Sequence, residues 1–276
     1  MRSIVHLSDI HCGRVNRLVI SPLIAAIARI APDVVAVSGD LTQRARPHEF
    51  KEARALLDRL PTPQVVVPGN HDVPLHNVAA RVLHPLRGYR RYITDDLRPF
   101  YSDEEIAVLG VNTARSLTIK DGRINDEQVS WMSERFRACD PRVVKIVVTH
   151  HPFDLPDGHD ERDLVGRARM AMEALAACGA DLFLAGHLHV SHTSQSATRY
   201  AIAGHSALVV QAGTAASARG RGEENAFNAL RIAWPEIAVE RFAWQPGRGE
   251  FTVVLREGFR HTSEGWVRLS ATGPSE

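Results

Sequence analysis

The chain has 276 residues, of which 44% are apolar and 24% charged, with a formal charge of +1. These are ordinary values for a soluble globular protein able to bury a sizeable core, as one large domain or a domain with an appendage. The near-neutral balance removes any whole-molecule argument for DNA, membrane or polyanion binding and leaves only local positive potential to consider.

Met1–His6 runs straight into a strand pattern, without a charged leader before a long apolar run, so no secretory signal is expected. No apolar stretch approaches the roughly 20 residues that span a bilayer. Cys12, Cys139 and Cys178 form a scattered, odd set that suits neither a disulfide framework nor a zinc knuckle. A reducing cytoplasm is the expected location.

In chain order, Ile4–Leu7, Val34–Val37 and Val65–Val67 read as buried strands. Leu18–Ile30 and His48–Leu60 read as the helices between them, punctuated by Pro32, Pro61 and Pro63. This β-α-β-α-β order predicts parallel strands with right-handed crossovers. Residues 74–100 are rich in arginine and aromatic residues and directly follow a polar motif. Both a cap over a site, with Tyr89 or Tyr92 as ring contacts, and a solvated basic helix fit them. Further strands are expected at Ile106–Val111, Val143–Val148, Asp181–Ala185 and Ala207–Gln211, and helices at Asp126–Arg137 and Leu164–Ala177. Ala215–Asn228 reads as a surface loop. Ala229–Trp234, Ile237–Ala243 and Glu250–Arg256 read as antiparallel strands completing a second sheet of one domain spanning 1–276, with 229–270 as its closing β region.

Five polar clusters stand at the ends of these apolar runs: Asp9-Ile10-His11, Gly39-Asp40, Gly69-Asn70-His71-Asp72, Thr149-His150-His151 and Gly186-His187-Leu188-His189. Asp9, Asp40 and Asn70 are about 30 residues apart, one βαβ unit each. All three should therefore reach the C-terminal edge of neighbouring parallel strands, where open α/β sheets place ligands. Residues two apart at a strand end project to one side, so Asp9 should join His11, and His187 should join His189. Carboxylates, an amide and imidazoles without a thiolate suit Mn or Fe, and also Zn, Co or Ni. Any one of these clusters alone is weak; all five in order, each after a strand, make a motif.

This ordered set resembles the calcineurin-like metallophosphoesterase superfamily from Asp9 to His189, and less specifically through the closing strands. The resemblance implies a four-layer α/β/β/α sandwich with two mixed sheets and a binuclear metal centre. It would place Asp9, His11 and His189 on one metal and Asn70, His150 and His187 on the other, with Asp40 bridging. His71 would be the catalytic histidine near the leaving group, oriented by Asp72, and the nucleophile a metal-bound hydroxide.

Among branches, the Ser/Thr protein phosphatases carry Gly-Asp-x-Val-Asp-Arg-Gly and Gly-Asn-His-Glu, whereas this chain has Gly39-Asp40-Leu41-Thr42-Gln43-Arg44-Ala45 and Gly69-Asn70-His71-Asp72. Purple acid phosphatases supply a tyrosine shortly after the bridging aspartate, and none stands near Asp40. The compact size, the Gly-Asn-His-Asp form and His150-His151-Pro152 look most like class III cyclic nucleotide and glycerophosphodiester phosphodiesterases. The expected partner is a small phosphoester, with homo-oligomerisation left open and nucleic acid argued against by charge. A phosphomonoesterase or nuclease of the same superfamily is the alternative chemistry. A binding scaffold that has lost catalysis is the alternative class, but it should show gaps among the ligand residues, and none is seen. His151, His192, Arg219 and Arg221 are candidate substrate contacts by position, and each has a competing structural reading.

Overall fold

The computed structural model describes residues 1–75, 77–116, 118, 120–218 and 222–269. In chain order its elements are β1 (Arg2–Leu7), α1 (Arg17–Ile30), β2 (Val34–Val37), α2 (Pro47–Leu57), β3 (Gln64–Val66), α3 (Val78–Leu83) and α4 (Arg87–Tyr92). Then come β4 (Phe100–Ser102), β5 (Ile106–Gly110), α5 (Asp126–Arg137), β6 (Val144–Val148), α6 (Ala168–Ala176), β7 (Leu182–Ala185), β8 (His192–Gln195) and α7 (Ala197–Tyr200). The chain closes with β9 (Leu208–Gln211), β10 (Ala226–Ala233), β11 (Glu236–Gln245), β12 (Glu250–Thr262) and β13 (Gly265–Arg268).

Two mixed sheets result. One has the order β13-β12-β11-β10-β1-β2-β3 and the other β4-β5-β6-β7-β9-β8. Alternation along each strand sends neighbouring residues to opposite faces. In β1, Val5 and Leu7 therefore pack under α1 and α2 with Val19, Leu23, Phe50 and Leu57. Ile4 turns the other way and meets Val108, Ile146 and Leu184 of the facing sheet. On the far side of that sheet, Leu109, Val147 and Phe183 pack against Met132 and Phe136 of α5 and Met172 and Leu175 of α6. Three apolar interfaces between four layers define the α/β/β/α sandwich. Coverage on both faces is why the central strands read as unbroken apolar runs.

The closing strands correct one expectation. β10 pairs antiparallel with β1, Arg2 opposite Ile232 and His6 opposite Asn228, so β10–β13 extend the first sheet and not the second. Their inward residues Leu230, Ile232, Phe259 and Trp266 complete the core between the sheets. β12 continues to Thr262, well past the expected Arg256, because it pairs along β11 on one side and β13 on the other. α6 starts at Ala168 and not near Leu164, since Val165 and Gly166 are held by backbone bonds to Pro152 and Gly122 before the helix begins. Among the described residues no helix is long and apolar enough to cross a membrane.

Candidate metal centre

The parallel strands of both sheets deliver the five polar clusters to one edge. β1, β2 and β3 end just before Asp9, Asp40 and Asn70, while β6 and β7 end before His150 and His187. Beyond the strands, the β1 and β2 loops keep pairing, through Asp9 N to Gly39 O (3.1 Å) and His11 N to Asp40 O (2.9 Å). Strand alternation is not what turns Asp9 and His11 together. Asp9, His11 and Asp40 have φ of 53°, 52° and 53°, and His187 and His189 have 76° and 62°. Left-handed backbone at a non-glycine residue is uncommon, and strain of this kind, about 1–3 kcal/mol per residue, collects where function holds it in place. Two glycines leave the room required. A Cβ on Gly69 would lie 2.1 Å from Asp40 Oδ1, and one on Gly186 would lie 1.7 Å from Ser8 Oγ.

The side chains converge in two groups. In the first, Asp9 Oδ1 lies 3.6 Å from His11 Nε2 and 3.5 Å from His189 Nε2. In the second, Asn70 Oδ1 lies 3.0 Å from His150 Nε2 and 3.1 Å from His187 Nδ1, and those two nitrogens are 3.3 Å apart. Asp40 stands between: its Oδ2 is 3.7 Å from His11 Nε2 and its Oδ1 is 3.4 Å from His150 Nε2.

Hydrogen bonds behind the site set which atoms face inward. His150 Nδ1 donates to Ser38 O at 2.8 Å, which leaves Nε2 as a lone pair aimed at the lone pairs of Asn70 Oδ1 and Asp40 Oδ1. Asp9 Oδ2 accepts from Ser8 Oγ (2.6 Å) and His187 N (3.0 Å), freeing Oδ1. Asp9 Oδ1 and His11 Nε2 are buried without a hydrogen-bond partner, a costly state for polar atoms. Acceptors pointed at acceptors repel unless a cation lies among them. Donors held about 2.1 Å from one ion stand roughly 3.0–3.4 Å apart at octahedral or tetrahedral angles, close to the separations here. The residues fit a pair of metal ions.

The electrostatics favour positive charge between these groups: burial opposes protonation of His11, but Asp9 and Asp40 outweigh it and push its imidazole up. Burial opposes ionisation of Asp9, but His189, His11 and His150 outweigh it and hold its carboxyl well below the usual range. Burial is likewise overcome at Asp40, by His150, His11 and His71. Burial, aided by His150, pushes His187 down to about 3, so its imidazole is neutral and able to coordinate near pH 7. His189 Nδ1 is 2.8 Å from Thr214 Oγ1. Outer partners of this kind typically carry 10–100-fold in metal affinity. Thr214→Val is therefore expected to weaken metal retention by about that factor while leaving the fold intact, read by chelator competition.

His71 lies on the rim, its ring edge-on to His11 at 4.9 Å between centroids. Its Nδ1 donates to Gln43 O at 2.8 Å, so Nε2 is the nitrogen free to face a substrate. Asp72 does not orient this ring, contrary to the sequence expectation. Its carboxylate accepts from Thr42 N (2.9 Å), Thr42 Oγ1 (2.8 Å), Leu41 N (3.2 Å) and Gly69 N (2.9 Å), tying the Asp40 loop to the Asn70 turn. Burial and the nearby Asp40 charge push its carboxyl up to about 6.

Among the remaining candidates, His151 is fully buried beneath the site. Its Nε2 donates to Lys120 O (2.7 Å) and its Nδ1 accepts from Thr113 Oγ1 (2.8 Å), so neither nitrogen is left for a metal or substrate. His192 sits on β8 opposite Gln211, away from the cavity lining. Arg219 and Arg221 lie outside the described residues. The cap reading of 74–100 is also revised. Tyr89 is buried with its hydroxyl on Val66 O (2.9 Å), and Tyr92 stacks on Phe50 of α2. The cavity over the centre, about 180 Å³, is walled by Lys120, His159 and Asp163, three residues that sequence reading missed. No strand-end or motif signal marks them, because they come from loops that fold back over the edge.

The fold and centre define a class, and comparison confirms it. The family model described as calcineurin-like phosphoesterase matches residues 2–191, and the chain belongs to that family. It is 25% identical over 161 residues to a probable cyclic nucleotide phosphodiesterase of Synechococcus, an alignment covering 54% of this chain and 58% of that one. It is 28% identical over 155 residues to the glycerophosphodiester phosphodiesterase GpdQ of Enterobacter lignolyticus, covering 56% and 52%. The chain thus spans little more than half the length of these relatives. Among solved structures, a dimetal phosphatase from Danio rerio superposes with a TM-score of 0.65 at 14% identity, over 92% of this chain and 98% of that one. Purple acid phosphatase PPD1 from yellow lupin gives 0.66 at 11%, over 91% and 52%. At such identities these two show the fold alone.

Proposed function

We propose that the chain is a binuclear metal-dependent phosphodiesterase acting on small phosphodiesters. The observation that carries this reading is the placement of Asp40, one oxygen toward each of two groups of inward-facing acceptors. Asp9, His11 and His189 would hold one ion, Asn70, His150 and His187 the other, and Asp40 both. Such ions supply Lewis acidity toward a phosphoryl oxygen and a water acidified toward neutrality. Mn, Fe, Zn, Co and Ni all suit the donor set.

The chain's own residues supply the rest. Gln43 O accepts the Nδ1 proton of His71, so Nε2 is the nitrogen turned to the departing oxygen. As the doubly protonated imidazolium, His71 would give its Nε2 proton there and keep the Nδ1 proton on Gln43 O. Lys120 adds positive charge at the wall, and His159 and Asp163 set further hydrogen-bonding groups beside it. The names of the two curated relatives support a diester. A phosphomonoesterase is the second reading, favoured by Lys120, since a dianion gains more from a cation at the cavity wall.

Metal-free protein reloaded with each metal should hydrolyse bis-p-nitrophenyl phosphate with a higher kcat/KM than p-nitrophenyl phosphate. A higher value for the monoester transfers the assignment to a phosphatase. Absence of hydrolysis of either ester with every metal would leave a binding scaffold.

A further inference from the structure

Helix α3 is built inside out. Its one buried residue is Arg81, 7% exposed, while Val78, Val82 and Leu83 are 69%, 52% and 69% exposed. Surface helices of globular proteins normally show the reverse, an apolar stripe inward and charge outward. The inversion is held firmly: Arg81 Nε donates to Ser116 O at 2.7 Å, and the guanidinium also reaches Pro74 O at 3.1 Å and Thr118 O. With the arginine fixed below, Val78 and Val82, one turn apart, share the outward face. Leu75, 39% exposed, precedes them. Of nine large apolar residues exposed among the described residues, four therefore fall within 75–83.

Charge lies beside this patch. Arg87, Arg90 and Arg91 of α4 are exposed, because the opposite face of α4 is anchored by Tyr89 on Val66 O. The three arginines and Leu83 line one cavity of about 710 Å³, where Asp95 is the one carboxylate. Whole-chain charge is only +1, so this is a local concentration of cations next to apolar side chains.

We propose that α3 and α4 form a docking surface for an anionic lipid bilayer. Leu75, Val78, Val82 and Leu83 would enter the headgroup region, and Arg87, Arg90 and Arg91 would contact lipid phosphates. Apolar residues flanked by arginine are the composition of an interfacial element, which lies on a membrane without crossing it. A second copy of the chain fits less well. A two-fold contact would bring three arginines from each copy together, with only Asp95 on each side to offset them. One face of a helix under two turns long also falls well short of the roughly 800 Å² per partner of a stable interface. The proposal is independent of the hydrolytic reading, since it uses none of the candidate metal residues and none of those lining the cavity over the centre.

Flotation of the full chain with phosphatidylglycerol-containing vesicles and with pure phosphatidylcholine vesicles tests it. Association with the anionic vesicles should be at least about tenfold tighter and should weaken as salt rises. The triple variant Arg87→Gln/Arg90→Gln/Arg91→Gln should lower it on the order of 100-fold, about fivefold per arginine. Val82→Ser/Leu83→Ser should lower it about tenfold or more, with thermal stability and soluble-ester hydrolysis unchanged. Equal affinity for both vesicle types, no association with either, or undiminished binding in both variants would overturn the proposal. So would a dimer in light scattering that Val82→Ser/Leu83→Ser dissolves, which would assign the patch to a second copy. Should a variant misfold, the lipid contrast and salt series on the unmodified chain still decide.

Discussion

Asp40→Ala is expected to reduce bound metal from two ions to at most one per chain and to abolish phosphodiester hydrolysis. The carboxylate sits 1% exposed, with Oδ2 toward His11 and Oδ1 toward His150. Removing it takes an acceptor from both groups at once and leaves His71 N without the acceptor it has at 2.9 Å. The loss should exceed the roughly 10–100-fold that removal of an outer partner costs. Elemental analysis after dialysis, beside initial rates in excess metal, reads both effects. Asp40→Asn guards against a folding artefact, since it keeps the shape and one neutral oxygen and should retain the fold while losing the second ion. Full activity of metal-replete Asp40→Ala protein would sink the binuclear reading.

His71→Ala is expected to keep both metals yet slow hydrolysis by about 10²–10⁴-fold for esters with alkyl leaving groups, the usual range for a general acid. Hydrolysis of p-nitrophenyl esters should fall much less, because that leaving group departs without a proton. Gln43 provides a control. The acceptor for His71 Nδ1 is the Gln43 backbone carbonyl, so Gln43→Ala preserves that bond and removes only the side-chain amide, 3.2 Å from the ring. Its effect should be far smaller than that of His71→Ala. Equal losses on alkyl and aryl esters would show that His71 positions the phosphate instead of protonating the departing oxygen.

Local periodicity determined the elements of this protein: the apolar runs at β1, β2, β5, β6, β7 and β9 and the amphipathic stretches at α1, α2 and α5 stand close to where the sequence placed them. It also determined the chemical types that reach the sheet edge, since a residue following a buried parallel strand has few other places to go. The tertiary structure alone decided how those residues converge. Asp9 meets His11 through left-handed backbone at both positions, a conformation with no signature in a run of non-glycine residues. His150 and His151 are adjacent and chemically identical, yet the first turns a nitrogen into the centre and the second has both nitrogens engaged outside it, because their partners Ser38, Thr113 and Lys120 come from distant loops. Asp72 adjoins His71 in sequence, but the amides of Leu41, Thr42 and Gly69 compete for its carboxylate and win. The closing strands were legible as strands, but their sheet was not, because β1 offered an open edge that only the assembled molecule reveals. Inverted α3 makes the same point: the sequence marked 74–100 by its arginines and aromatic residues, whereas the folded molecule turns Arg81 inward to carbonyls more than thirty residues away and leaves the apolar residues outside. Periodicity is written in neighbouring residues, whereas hydrogen-bond competition, burial and edge pairing depend on residues far apart in the chain.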